Sequence, residues 1–178
     1  MASLSHLAVG LVAARHCTPE AREAPAHRGR CIFWMCVLSM LPDIDVLTFS
    51  LGIAYEAPLG HRGAAHSLVA AAVFAGLLVP LLRTTLKLSA ARGFVLGALV
   101  IASHGLLDTL TDGGYGIALF WPMSDQRFFA PWQPIPVSPI GTAYLSKRGL
   151  MVFMTEFIYC LPLLAYGFWP QLRRGTSD

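Results

Sequence analysis

Charged side chains are scarce in this chain: 13% of its 178 residues, against roughly 25% in average soluble proteins. With 55% hydrophobic residues and a mean hydropathy of +0.58, this deficit argues against an ordinary soluble domain and for a chain that sits in lipid. Cysteine is sparse as well. The four present, Cys17, Cys31, Cys36 and Cys160, have no CxxC spacing. That speaks against a disulfide framework or a thiolate zinc site and for free thiols within the membrane. At a net charge of +3, the basic residues are too few and too scattered over short connectors to make a nucleic-acid footprint. No basic stretch precedes the apolar residues 4–14, and His6 lies inside them, so a cleavable signal peptide is not expected. Also missing are a Gly-x-Ser-x-Gly elbow, a phosphate-binding P-loop, internal repeats and low-complexity tracts. Ser67 and Ser103 each adjoin a histidine, but adjacency in sequence does not make a catalytic triad.

What remains is a series of apolar runs. Segment one, Ser3 to Ala14, reads as a short apolar helix. A charged connector, Arg15 to Arg30, follows, with Pro19 and Pro25 preventing a long continuous helix. Segment two, Cys31 to Leu41, stops at Pro42-Asp43-Ile44-Asp45, and Val46 to Ile53 continues apolar. Tyr55 to Gly63 is a polar link. Segment three, Ala64 to Leu82, is apolar apart from His66 and Ser67, and leads into a basic connector holding Arg83, Lys87 and Arg92. Segment four is Gly93 to Leu110. A loop rich in proline and aromatics, Thr111 to Ser146, precedes segment five, Gly149 to Trp169, which is apolar apart from Glu156. The expected fold is all-α: a single domain over residues 1–178, an integral membrane bundle of four to five helices with a long outer loop.

Basic residues orient the bundle. If the connectors 15–30 and 83–92 share one side with the tail, that side holds Arg15, Arg22, Arg28, Arg30, Arg83, Lys87, Arg92, Arg173 and Arg174. The other side keeps Arg62, Arg127, Lys147 and Arg148. The positive-inside rule makes the richer side cytoplasmic. The polar residues that interrupt the apolar runs then sort to the opposite end. His6 opens segment one, Asp43 and Asp45 close segment two, and His61 and His66 flank the start of segment three. His104 and Asp108 close segment four, and Glu156 lies two turns into segment five. Crossing hydrocarbon takes about 20 helical residues, and segments one, two and four have fewer before these residues begin. The polar cluster is expected within or just under the outer headgroup layer.

In Ser103-His104-Gly105-Leu106-Leu107-Asp108-Thr109, His104 and Asp108 share a helix face one turn apart, which makes a two-donor arm for a metal. The plainer alternative is a helix end where the two merely pair. Asp43 and Asp45 after Pro42 read as ligands or as a helix cap. His6 is a ligand or a packed helix histidine, and His61 and His66 are ligands or polar loop residues. Glu156 is a ligand or half of a buried ion pair with Arg148 or Arg127. Eight donors exceed the roughly four that one zinc takes. Two or more ions sharing a bridging carboxylate would use them, and such clusters suit phosphoester hydrolysis. The aromatics of Phe120-Trp121-Pro122 and Arg127-Phe128-Phe129-Ala130-Pro131-Trp132 suggest an interfacial belt. Arg127 is a candidate phosphate clamp, or else a solvated charge.

Taken in order, these motifs resemble those of a known family. His6, Leu41-Pro42-Asp43-Ile44-Asp45, His61-Arg62-Gly63 followed by His66-Ser67, the Ser103 to Asp108 run with Thr111 close behind, and Phe120-Trp121-Pro122 carry the likeness. Together they are similar to the bacterial inner-membrane family of metal-dependent hydrolases whose founding member is linked to LexA regulation. No residue here looks like a LexA-binding surface. That family is grouped with the zinc-dependent phospholipase C and single-strand nuclease superfamily, which is helical and holds a three-zinc cluster. The resemblance implies the same reaction class, with zinc as the divalent metal in two or three ions. His104 and Asp108 match the superfamily's His-x-x-x-Asp arm. Its late His-x-x-x-Glu arm is not matched, because Val152 stands four residues before Glu156.

The expectation is therefore a multi-pass hydrolase of the bacterial inner membrane, its site facing the periplasm or exterior, acting on a phosphoester such as a lipid headgroup. His6, Asp43, Asp45, His61, His66, His104, Asp108 and Glu156 are the expected ligands. Asp45 or Glu156 is alternatively the general base, and Arg127 is the candidate on the phosphate. The partner is a membrane lipid or lipid-linked phosphoester, and no nucleic acid is expected. Two other readings stay open from the sequence. A metal or proton transporter would need polar residues to continue through the bilayer. A protein in which zinc only braces the helices would show a closed four-ligand site.

Overall fold

The computed structural model describes residues 3–17, 25–139 and 141–169. It is all-α: α1 (Ser3–Ala14), α2 (Pro25–Met40), α3 (Leu68–Leu86), α4 (Ala90–Asp108) and α5 (Lys147–Phe168), with 3-10 stretches at Leu41–Leu51, Ala64–His66 and Gly141–Leu145. Among the described residues there is no strand, and two isolated bridges, Thr111 to Ile135 and Ile117 to Phe128, tie the long loop together. Among the described residues, four stretches are long and apolar enough to cross a membrane: Pro25–Leu51, Leu68–Leu86, Ala90–Asp108 and Lys147–Phe168. The 12 residues of α1 reach only about 18 Å, short of the roughly 30 Å hydrocarbon core.

α1 has the expected bounds, and the other helices differ from expectation for local reasons. α2 starts at Pro25 rather than Cys31, because proline at the first helical position forfeits no hydrogen bond. Arg28 and Arg30 thus lie in its first turns. α3 begins at Leu68 rather than Ala64, where the Ser67 hydroxyl accepts the Ala70 N–H. α4 and α5 start a few residues early behind Ser89 and Ser146, which cap Arg92 and Gly149 in the same way. Residues 18–24, with Pro19 and Arg22, and the tail with Arg173 and Arg174 lie outside the described residues.

Beyond α2, Pro42 has no N–H to continue the helical ladder. The chain tightens into 3-10 winding from Leu41 to Leu51, a longer run than this geometry usually sustains, and closes at Gly52 with φ 71°. This winding turns Pro42, Asp43 and Asp45 inward and leaves Ile44, Leu47 and Leu51 outside, exposed by 57%, 62% and 76%. The stretch presents carboxylates to the protein and aliphatic side chains to its surroundings.

α3 and α4 make the most extensive helix pair, while α1 lies between α2 and α5 and also touches α4. The core is built from Met35 and Leu38 of α2, Ala71, Ala75 and Leu82 of α3, and Val100 and Ile101 of α4. Close backbone approach stands in for a hydrophobic driving force where the surroundings are lipid. A Cβ on Gly10 would fall 2.7 Å from Cys36 Cα and 2.8 Å from its amide nitrogen, so only glycine lets α1 rest on α2. His6 lies one turn before Gly10 on the same face. Gly10→Ala is accordingly expected to cost about 1–3 kcal/mol and to pull His6 away from its partners. Thermal unfolding in detergent reads this, and an unchanged midpoint would contradict it.

Candidate metal centre

Seven predicted donors meet at one end of the bundle: His6 from α1, Asp43 and Asp45 from the 3-10 stretch, His61 and His66 from the link before α3, and His104 and Asp108 from the last turns of α4. None is more than 8% exposed. α4 is shaped for the meeting. A Cβ on Gly105 would lie 2.3 Å from the His66 carbonyl oxygen, so the glycine between His104 and Asp108 lets the Ala64–His66 turn lie flat against the helix.

The ligand atoms fall into two overlapping groups: Asp43, Asp45, His61 and His66, and Asp43, His66, His104 and Asp108. Within each group one nitrogen or oxygen from every residue lies within 4.8 Å of the others. His66 Nε2 is 3.6 Å from both Asp43 Oδ1 and Asp108 Oδ2, and its Nδ1 is 3.0 Å from Asp45 Oδ2. His104 Nε2 is 3.3 Å from Asp43 Oδ1 and 3.9 Å from Asp108 Oδ2. His61 Nδ1 meets Asp45 Oδ1 at 2.6 Å, and the Arg62 amide donates to Asp45 Oδ2 at 3.0 Å. His6 stands beside the groups rather than within them. Its ring stacks on His104 at 3.7 Å, and its Nε2 is 3.3 Å from Asp108 Oδ1.

These short distances are mostly not hydrogen bonds. Both oxygens of Asp43, both ring nitrogens of His66, His104 Nε2 and Asp108 Oδ2 are buried without a hydrogen-bond partner among the described residues. Buried polar atoms are normally satisfied, and leaving six unpaired in one place is costly. Unpaired nitrogen and oxygen donors within 4.8 Å of one another could hold a divalent cation. His104 adds a supporting bond typical of ligating histidines. Its Nδ1 is 2.7 Å from the Ser39 carbonyl, which can only accept, so Nδ1 carries the proton and Nε2 offers its lone pair. Nitrogen and carboxylate donors without thiolate suit zinc and leave other first-row ions open.

Without a metal the cluster holds a proton. Burial pulls the His66 imidazolium down, but the Asp43 and Asp45 carboxylates outweigh it and hold the group up at about 9. Below that value the ring is protonated, and the ion pair it forms is lost as pH rises from histidine's ordinary 6.5 toward 9. A metal must displace that proton. Its apparent affinity is therefore expected to fall by about tenfold per pH unit below the His66 value, with proton release on binding. Competition against a chromophoric chelator at several pH values measures this, and a flat affinity would contradict it.

Two sequence-predicted residues stand elsewhere. Glu156 is fully buried but belongs to neither ligand group. It accepts the Leu4 N–H at 3.0 Å and faces the Ser5 hydroxyl at 3.5 Å, tying α5 to the first turn of α1, where a carboxylate is favoured. Arg127, the phosphate candidate, is engaged with backbone. Its guanidinium donates to the carbonyls of His61, Gly116, Tyr55, Glu56 and Ala57 at 3.1–3.3 Å, bracing two loops. The residue that sequence reasoning passed over is Arg62, fully buried beside Asp108. Its signal was its place between His61 and Gly63 in a chain otherwise poor in charge. Ser67 caps α3 and Ser103 donates to the Val100 carbonyl, which leaves both engaged within their helices. Phe120, Phe129 and Trp132 of the long loop are exposed, as an interfacial belt would be.

Compared with known proteins, residues 1–172 match the sequence profile of a family described as YdjM inner membrane protein. The inner membrane protein YbcI of Escherichia coli (strain K12) is 42% identical over 131 residues, covering 73% of this chain and 76% of that relative. No solved structure matches the chain.

Proposed function

The chain belongs to the YdjM inner membrane protein family, and on that footing we propose that it is a metal-dependent hydrolase of a phosphoester. The observation that carries the reading is that Asp43 and His66 belong to both ligand groups. Two zinc ions would draw on these groups, one on Asp43, Asp45 and His61 and the other on Asp43, His104 and Asp108, with His66 giving the single lone pair of its neutral ring to one of them. Such a pair supplies Lewis acidity toward phosphoryl oxygens and activates water at neutral pH.

The chain's own residues supply the rest. The 2.6 Å contact of His61 Nδ1 with Asp45 fixes the orientation of the His61 ring, and the Arg62 amide keeps the Asp45 carboxylate in place. His6 and Ser39 hold the His104 ring. Kinship with the zinc-dependent phospholipase C and nuclease superfamily is part of the proposal, supported by the His104 and Asp108 arm. The site lies at the periplasmic face, because Arg28, Arg30, Arg83, Lys87 and Arg92 gather toward the other end of the helices. A lipid-borne phosphoester fits the exposed Ile44, Leu47 and Leu51 beside the ligand-bearing stretch. Transport is the weaker reading. Among the described residues the layer beneath the site is Leu38, Ala71, Val100 and Ile101, which offers no polar relay.

The test is a turnover screen of the zinc-replete protein in nanodiscs against phosphomonoester and phosphodiester lipids and a soluble aryl phosphate. Turnover that EDTA abolishes and zinc restores is expected. Full zinc content without hydrolysis of any of them would remove the catalytic reading.

A further inference from the structure

Two arginines reach the loops around the site, and they are used differently. Arg127 is held by backbone: Nη1 and Nη2 both donate to carbonyls. Arg62, fully buried, makes its side-chain hydrogen bonds through one corner among the described residues. Its Nη1 donates to Thr111 Oγ1 at 2.9 Å and to the Gly113 carbonyl at 3.0 Å. Nε lies 3.1 Å from Asp108 Oδ2, yet neither Nε nor Nη2 has a hydrogen-bond acceptor among the described residues. Nε and Nη2 form the edge of the guanidinium fork that takes an oxyanion by two parallel bonds. Nε faces the Asp108 carboxylate as an ion pair without hydrogen-bond geometry, and Nη2 is buried beside the candidate ligands with no acceptor among the described residues.

The backbone is shaped to hold it so. Arg62 has φ 63°, in the left-handed region that non-glycine residues rarely adopt. Strain of this kind persists where the surroundings over-determine it, and it clusters at ligand clamps. This conformation sends the His61 ring to Asp45 and the Arg62 guanidinium to Asp108, from adjacent residues into one site.

Charge selects the ligand. Two divalent ions and the Arg62 guanidinium, set against the carboxylates of Asp43, Asp45 and Asp108, leave a formal surplus of two positive charges in a buried site. A carboxylate or a phosphodiester would neutralise half of that, whereas a phosphomonoester or phosphate with three free oxygens can neutralise it and span both the ions and the fork. Resting on the two-ion reading above, we propose that the Nε–Nη2 edge of Arg62 binds the phosphoryl oxygens of the substrate and of the phosphate product, as a catalytic residue.

The experiment titrates inorganic phosphate into the zinc-loaded full-length protein by calorimetry, beside Arg62→Lys with its zinc content measured. Lysine keeps the charge but lacks the fork. The expected result is zinc-dependent phosphate binding that weakens about ten- to hundredfold in Arg62→Lys while zinc content is unchanged. Undiminished phosphate affinity in that variant overturns the assignment, as does wild-type protein that holds two zinc ions and binds no phosphate. Should Arg62→Lys fail to fold, wild-type protein carrying nitrogen-15 arginine decides. Phosphate must shift a slowly exchanging guanidinium signal along with the calorimetric midpoint, and binding without such a shift overturns the proposal. Phosphate binding without turnover of any ester would sink the hydrolase reading but keep Arg62 as the anion residue. Nanodiscs of phosphatidylcholine with and without phosphatidic acid distinguish the source. Competition by phosphatidic acid identifies a lipid phosphomonoester, and its absence a soluble phosphate; both keep the phosphoryl assignment.

Discussion

Asp43→Ala is expected to purify with less than about a tenth of the wild-type zinc, and with no activity. Asp43 is common to both ligand groups, and neither of its buried oxygens has another partner among the described residues. On the proposed two-ion reading, its removal would take a ligand from each ion at once. The neighbouring substitutions should be graded. His104→Ala takes a ligand from one group and His61→Ala from the other, so each should leave about half of the zinc in place. Glu156→Gln should leave zinc content at the wild-type level, because Glu156 meets Leu4 and Ser5 rather than the cluster. Metal analysis of the purified variants gives all four values. Full zinc in Asp43→Ala would show that the shared carboxylate is not a ligand.

The second large effect is on stability. Three carboxylates and several imidazole nitrogens converge inside the protein, and without cations the carboxylates repel one another and leave buried oxygens unsatisfied. A metal that binds only the folded protein stabilises it by about 4 kcal/mol when present at roughly a thousandfold over its Kd. For a chain of this size that corresponds to about 8–16 °C in Tm. EDTA should lower the unfolding midpoint by this amount, zinc should restore it, and Asp43→Ala should be insensitive to both. If EDTA leaves the wild-type midpoint unmoved, the cluster is a set of internal ion pairs that needs no cation.

Scarcity made much of this legible. Where charge is rare, a histidine or aspartate inside an apolar run stands out, and the positions of His6, Asp43, Asp45, His66, His104 and Asp108 along their runs already sorted them to one end. The bounds of α1 and the shared face of His104 and Asp108 followed from helical periodicity alone. Tertiary facts did not. Which arginine enters the site depends on a left-handed backbone at Arg62 and on five carbonyls gathered round Arg127, and neither leaves a mark in residue order. Glu156 looked like a ligand because its depth along α5 matched the others. Its rotation about the helix, which turns it to the start of α1, could not be read without knowing α5's neighbour. The 3-10 winding after Pro42 was equally hidden, since proline announces a break but not the geometry that follows.

On the proposed reading, donors from distant parts of the chain grip two divalent cations through a shared Asp43. Zinc-edge anomalous diffraction from crystals of the purified protein tests it most directly. The account predicts two anomalous peaks, both touching Asp43, one flanked by His61 and Asp45 and the other by His104 and Asp108. A map with no peak among these residues, from protein grown and purified in zinc, would contradict it.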